Sequence, residues 1–366
     1  MTLHRTIESI PLIDNHAHGV RPFGEDLTPE EFASRFTEGG PSPHARHTLY
    51  YRNALEFLKE YFDVETEAAV VEKRAAVEFD TFARDLFDRA NISHILQDTG
   101  TPPDSSPRTL GRYTDADVRP VLRVENEVER LIGAHEGFSR FVRELRELLV
   151  DAVTEDHVGL KSIVAYRTGL DVSNPSRSEA SMAFHEVKRD WSGRLEHPVL
   201  LDFTAHLAAE VAGENDVPIQ FHSGFGDADA HPRYVDPGYL WEFMNQHPET
   251  DIVLLHASYP YARTAGYIVS VLENVYLDIG MTIPFIQHGV GPLLRQVLEL
   301  APSTKIMYSS DGHYVPEWHY FGAERIRADL AVTLEELIED GFVTPDYAET
   351  IARNMLRENA ERVYSL

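Results

Sequence analysis

Apolar residues along this chain gather in short runs, and most of those runs end in a polar residue with chemistry of its own. The first is Ile10-Pro11-Leu12-Ile13, which continues into Asp14-Asn15-His16-Ala17-His18-Gly19. Seven more runs follow, at 92–98, 118–125, 158–166, 217–222, 251–256, 275–279 and 305–311. Their length and apolar character predict strands. Between them the period changes. Leu49, Tyr50, Ala54, Leu55, Leu58 and Phe62 recur at helical spacing, as do Phe79, Phe82, Ala83, Leu86 and Phe87. Thr28-Pro29-Glu30-Glu31 has the residues of a helix start, with Thr as N-cap, Pro at the first helical position and Glu31 closing a capping box. Further helices are expected over 127–152, within 178–214, at 261–272 and 290–300. Two more are expected near the end, one stopped by Gly341 and one opened by Thr344-Pro345.

Eight strands alternating with helices predict an α/β fold, a (β/α)8 TIM barrel, with a helical insertion after strand 1. The reading gives one barrel domain over 1–366, with 20–90 as the insertion, placed over the barrel mouth where lids and substrate walls lie. Its Gly39-Gly40-Pro41-Ser42-Pro43 segment breaks the helices. His44, Arg46, His47, Tyr50 and Arg52 after it are read first as an ordinary solvated helix start. A doubly wound open sheet is the competing fold. It fits less well, because no Gly-rich phosphate loop follows the first strand and Gly224-Phe225-Gly226 lacks a third glycine.

Composition narrows the chemistry. The 366 residues include 60 acidic and 33 basic ones, a net charge of -27. That excludes the basic footprint that nucleic acid or an anionic membrane requires. With no cysteine, disulfides, thiolate nucleophiles and Cys-bound zinc are out, and any metal must use His, Asp, Glu or a modified Lys. The first residues lack the apolar core of a signal peptide and no run has membrane-spanning length, so a cytoplasmic location is expected. Asn91-Ile92-Ser93 fits a glycosylation pattern that carries no meaning there. Other catalytic signatures are lacking: His185-Glu186 has Arg189 where a zincin needs its second histidine, and no Gly-x-Ser-x-Gly elbow occurs.

In a barrel the chemistry sits at the C-terminal ends of the strands. Those ends supply His16 and His18, which share a face because i and i+2 do so in a strand; they also supply His222, His256 and Asp311. This is an N/O donor set suited to zinc, with manganese, iron or nickel as alternatives. Lys161 falls near the start of the fourth run.

The ordered set His16-Ala17-His18, Gly159-Leu160-Lys161, His222, His256 and Asp311 resembles the amidohydrolase superfamily of metal-dependent barrel hydrolases, along the whole chain. Gly159-Leu160-Lys161-Ser162-Ile163-Val164-Ala165-Tyr166-Arg167 and Tyr308-Ser309-Ser310-Asp311-Gly312 are similar to the amidohydrolase domain of fluG-type glutamine synthetase fusions. The resemblance implies one ion on His16, His18 and Asp311, a second on His222 and His256, and a carboxylated Lys161 bridging them. An ammonium has no lone pair for a metal, whereas a carbamate has two anionic oxygens. If Lys161 is plain, paired with Glu125 or Asp98, a single ion is expected instead. Asp311 is the expected catalytic base and acid. Tyr166, Arg167 and His313 are expected to contact substrate, Arg167 by gripping a carboxylate.

The expected activity is hydrolysis of an amide-type C–N bond in a small molecule, with a carboxylate or γ-glutamyl group on the substrate, in a homo-oligomeric protein. A single-metal, non-oxidative decarboxylase is the alternative within the fold. A barrel without catalysis, serving as a binding protein, is the alternative of another class.

Overall fold

The computed structural model describes residues 3–22, 28–102 and 106–366. Eight parallel strands run β1 Leu12–Ala17, β2 Ile92–Asp98, β3 Asp117–Arg123, β4 Gly159–Ser162, β5 Ile219–Phe221, β6 Ile252–Leu254, β7 Val275–Asp278 and β8 Ile306–Met307. They pair in sequence order, β1 with β2 through to β7 with β8. Helices connect them on the outside, so both faces of each strand are covered. All six residues of β1 are buried, as a parallel strand between core and helices requires. The seam between β8 and β1 is joined by the Asp311 N–H donating to the His16 carbonyl at 3.0 Å and the His18 N–H to the Gly312 carbonyl at 2.8 Å. The architecture is the TIM barrel predicted from the chain's periodicity. The sequential strand order rules out the doubly wound sheet, which needs a reversal.

Strand ends differ from the sequence expectation, and the differences matter. The fourth strand stops at Ser162 rather than at 166, because Ile163 turns (φ -114, ψ 26) into a 3-10 turn over Val164–Tyr166. Lys161 is therefore at the C-terminal end of β4, not its start. It is level with Arg123 of β3 and Gln220 of β5. The third strand ends at Arg123, and Val124 and Glu125 already belong to a helix, Val124–Ala134. The single helix expected over 127–152 is two, broken before Phe138–Glu155. The eighth strand is short because Tyr308 leaves β7. Its N–H donates to the Met355 carbonyl at 2.9 Å and its carbonyl accepts from Asn15 N–H at 3.2 Å.

The insertion contains helices Pro29–Ala33, Leu49–Phe62, Glu67–Ala76 and Phe79–Ala90. Residues 23–27 within its expected span lie outside the described residues. The capping box forms: Thr28 accepts from Glu31 N–H while the Glu31 carboxylate accepts from Thr28 N–H. A hydrophobic cluster separate from the barrel core, including Phe32, Phe36, Tyr50, Tyr51, Leu55 and Leu58, is buried against Val315 and Trp318. Helix Phe79–Ala90 serves both clusters, with Phe79, Ala83 and Phe87 toward the barrel and Phe82 and Leu86 toward the insertion. Arg74 and Glu317 form a fully buried ion pair at 2.6 Å that ties the insertion to the helix after β8. Of the polar residues after the Gly39-Gly40 break, Arg46 bonds Glu30 and Glu67 and Tyr50 is core. Arg46 thus has a structural role, as expected, whereas Tyr50 is not solvated but buried in the insertion's core.

Candidate metal centre

The strand ends converge at one mouth. Nε2 of His16 lies 3.3 Å from Asp311 Oδ1, and Nε2 of His18 lies 3.2 Å from the same oxygen. The Lys161 ammonium is 3.3 Å from His16 Nε2. The His256 ring centroid lies 5.8 Å from that of His16 and 4.7 Å from that of His222. Among the described residues, donor atoms of His16, His256 and Asp311 fall within 4.8 Å of one another, as do those of His16, His18 and Asp98. These groups surround a cavity of about 330 Å³, and Tyr166, Arg167 and His313 line it too. Each residue expected to bind metal or substrate lines this one space.

Hydrogen bonds fix which ring atoms carry protons. Gln220 donates to the Asn15 carbonyl (2.8 Å) and the Tyr364 hydroxyl (2.7 Å) through its amide nitrogen. Its oxygen can only accept, so His16 Nδ1, 2.7 Å away, must donate to it. His16 is held neutral, its pKa lowered to about 4, first by burial and then by the Lys161 charge. Its Nε2 consequently presents a lone pair to the Asp311 carboxylate. His222 Nε2 lies 3.1 Å from the Phe225 carbonyl, an acceptor, which makes that nitrogen the donor and leaves Nδ1 with the lone pair. Burial first, then His256, keeps His222 neutral as well. Burial alone would raise the Asp311 carboxyl; protons on the imidazoles around it, His256 first and then His16 and His18, would hold it well below the usual carboxylate range.

Lone pairs and an anion facing one another in a dry space repel unless a cation lies between them. His18 Nδ1, His256 Nδ1 and Asp311 Oδ1 are buried without a hydrogen-bond partner. The donor set and its unsatisfied atoms fit a divalent metal.

Backbone strain collects at the same place. His256 (φ 65) and Asp311 (φ 52) are non-glycine residues in the left-handed region. Such conformations cost on the order of 1–3 kcal/mol each and cluster at functional sites. Gly226 lies so close to the Tyr166 phenol that an added Cβ would collide with it, and the Tyr166 ring packs against His222 at 4.1 Å between centroids, tilted by 44°.

Other residues at the site were not picked out as site residues by sequence, although Asp98 was named as a partner for a plain Lys161. Asp278, the last residue of β7, accepts from Asn15 (2.9 Å) and from the His256 N–H (2.9 Å), and burial raises its carboxyl to about 6. Asp98 ends β2 and is held by Arg123 at 2.7 Å; against the effect of burial, that guanidinium keeps its carboxyl below the ordinary range. The strand-end rule applied to β2 and β7 would have found Asp98 and Asp278; Arg123 escaped it because the third run reads on to Glu125, whereas the strand ends at Arg123. Glu38, which lines the cavity from the insertion, gave no such signal. Glu125 is not a partner of Lys161; it accepts from Ser162 Oγ (2.6 Å) and the Ile163 N–H (2.9 Å).

The amidohydrolase family profile matches residues 184–366, half of the chain and the half that holds His222, His256, Asp311 and His313. The chain belongs to the amidohydrolase family. This amidohydrolase is also 29% identical to Protein fluG of Emericella nidulans over 406 aligned residues, covering all of this chain and 47% of fluG. It thus spans about half the length of that curated relative. A crystal structure from Lactobacillus casei ATCC 334, provisionally described as a metal-dependent hydrolase, superposes with a TM-score of 0.91 at 26% identity, covering 100% of this chain and 97% of that one. A uronate isomerase from Thermotoga maritima shares the fold, with a TM-score of 0.71 at 13% identity, covering 99% of this chain and 96% of that one.

Proposed function

We propose that this amidohydrolase cleaves an amide-type C–N bond in a small molecule that carries a carboxylate. The observation that carries the reading is the orientation of His16: its Nδ1 is committed to Gln220, and its Nε2 lone pair faces Asp311 with His18 beside it. A metal bound there, zinc for preference, would lower the pKa of a water to about 7 and polarise the substrate carbonyl. His16, His18, His256 and Asp311 would hold one ion. His222, through Nδ1, and a carboxylated Lys161 would complete a site for two.

Lys161 is suited to carboxylation. Burial brings its amine down to about 8, against the pull of Asp98 and Asp311, so a usable fraction is neutral and able to attack carbon dioxide at neutral pH. Asp311 is an ionised carboxylate at the centre of the cluster. It would accept the proton of the attacking water and return it to the leaving nitrogen. Arg167 and His313 would hold the substrate, Tyr166 would pack against His222 to close one side, and buried surroundings would keep stray water from the carbonyl.

The test joins elemental analysis of the purified protein to a screen of amides, γ-glutamyl compounds and simple carboxylic acids. Two metals, extra density on the Lys161 amine and hydrolysis of amides are expected. One metal with a plain Lys161 and release of carbon dioxide from an acid would replace this reading with the single-metal decarboxylase. Protein without metal or turnover would leave a binding barrel. A homo-oligomer and a location in the cytoplasm are part of the same proposal.

A further inference from the structure

The cavity is lined by both guanidinium and carboxyl groups. Arg123 ends β3 and Arg167 follows β4. Glu38 comes instead from the insertion, just past the 3-10 turn Ser34–Phe36. The insertion packs on Val315 and Trp318, with Phe285 beside them, all from segments that follow β7 and β8. The barrel rim thus brings guanidinium groups, and the insertion a carboxyl group, into one cavity beside the histidine and aspartate cluster.

Two of these charged groups, Arg167 and Glu38, are poorly matched by partners among the described residues. Arg123 is bound to Asp98, and Arg194 is bound to Glu196 and Asp229. Among the described residues Arg167 pairs only with Glu129, at 3.4 Å, although its side chain is 11% exposed; its Nε is buried without a hydrogen bond there. Glu38 makes no hydrogen bond or ion pair among the described residues. Its carboxyl is pushed up to about 8 by burial, then by Asp311 and Asp227. His313 Nε2, also facing the cavity, is buried and unpartnered.

We infer that the substrate is a dipolar amide. Its carboxylate meets Arg167, its ammonium meets Glu38, and the scissile bond lies between them at the metal cluster. The molecule this describes is a dipeptide or a similarly spaced isopeptide, whose charged ends flank one amide. A carboxylate on Arg167 replaces a weak contact by a charge-assisted pair. An ammonium at Glu38 offsets the repulsion from Asp311 and Asp227. His313 Nε2 is left to hydrogen-bond the amide. The inference rests on the hydrolytic reading above for the amide, but the two charge subsites can be tested without turnover.

The experiment is calorimetry on the zinc-loaded protein with 6-aminohexanoate, which has a charge at each end, and with hexanoate, which lacks the ammonium. The dipolar ligand should bind roughly tenfold tighter, the size of one charge-assisted hydrogen bond. Glu38→Gln should erase that preference and leave hexanoate binding as it was, whereas Arg167→Met should weaken both ligands. Equal binding of the two ligands by the unaltered protein overturns the inference, as does a preference that survives Glu38→Gln. Glu38→Ser serves if the glutamine variant does not fold, as judged by its melting curve. If the preference holds and no dipeptide is cleaved, the hydrolytic reading fails and the dipolar site stands. If dipeptides and their N-acetyl derivatives are cleaved equally well, the dipolar site fails and the hydrolytic reading stands.

Discussion

His16 depends on a residue that never reaches the cavity. Gln220 sits one level below the rim of β5, and its amide is oriented by Asn15 and Tyr364, so it can offer His16 Nδ1 nothing but an acceptor. That single constraint keeps the Nε2 lone pair aimed at the cluster. Partners of this kind behind a metal-binding histidine typically contribute 10- to 100-fold in metal affinity. Gln220→Leu should therefore weaken zinc binding by about that factor, while the fold survives because leucine fills a similar volume. A competition titration with a chromophoric chelator measures it; an unchanged affinity would remove His16 from the ligand set. His256 is supported in the same manner by Asp278, which accepts from its backbone N–H and from Gly280 and thereby pins a residue with φ 65.

At the scale of elements, the insertion holds Glu38 in place only as long as the insertion itself is fixed to the barrel. Its attachment is partly apolar, through Tyr50, Trp318 and Phe285, and partly ionic, through Arg74 and Glu317, whose side chains are 1% and 0% exposed. Removing one member of a fully buried pair strands the other charge and costs about 3–5 kcal/mol. Arg74→Ala should reduce stability in urea by that amount, whereas Arg74→Met with Glu317→Leu should recover most of it, since no charge is then left unpaired. A single mutant as stable as the parent would show that the pair is open to water. The guanidinium also lies over Phe82, 4.4 Å from its ring centre, so part of the loss would be packing.

For the whole molecule, the mouth of the barrel is the place where stability has been given up for chemistry. Left-handed residues, facing lone pairs and a carboxylate meet there, and a cation relieves them together. A ligand bound only by the folded state adds about 4 kcal/mol at a free concentration a thousandfold above its Kd. Chelation should accordingly lower the melting temperature by several degrees, and zinc should restore it. Asp311→Asn should abolish the response to zinc, because the amide contributes no charge. The metal-free variant should melt at or above the metal-free parent, since its NH2 can donate to His16 Nε2. A metal-free Asp311→Asn protein that melts well below the metal-free parent would contradict this account of the mouth.

The sequence by itself determined the barrel and most of the cluster. Strand number and order follow from eight apolar runs separated by helical periodicity, because burial imposes those periods on the chain directly. His16, His18, His222, His256 and Asp311 were legible because each lies at the end of such a run, and a parallel barrel brings all strand ends to one face. Lys161 was legible as a candidate but misplaced along its strand, since a turn at Ile163 depends on a backbone angle and not on polarity.

Only the tertiary structure decided the rest. Which nitrogen of His16 is free depends on Gln220, 204 positions away. That Arg167 is under-satisfied depends on where Glu129 points. Glu38 carries no local mark, being one acid among 60 acidic residues, and it faces Asp311 solely because the insertion folds back over β7 and β8. Periodicity records what each residue must hide from water; it does not record which distant side chain will be waiting there.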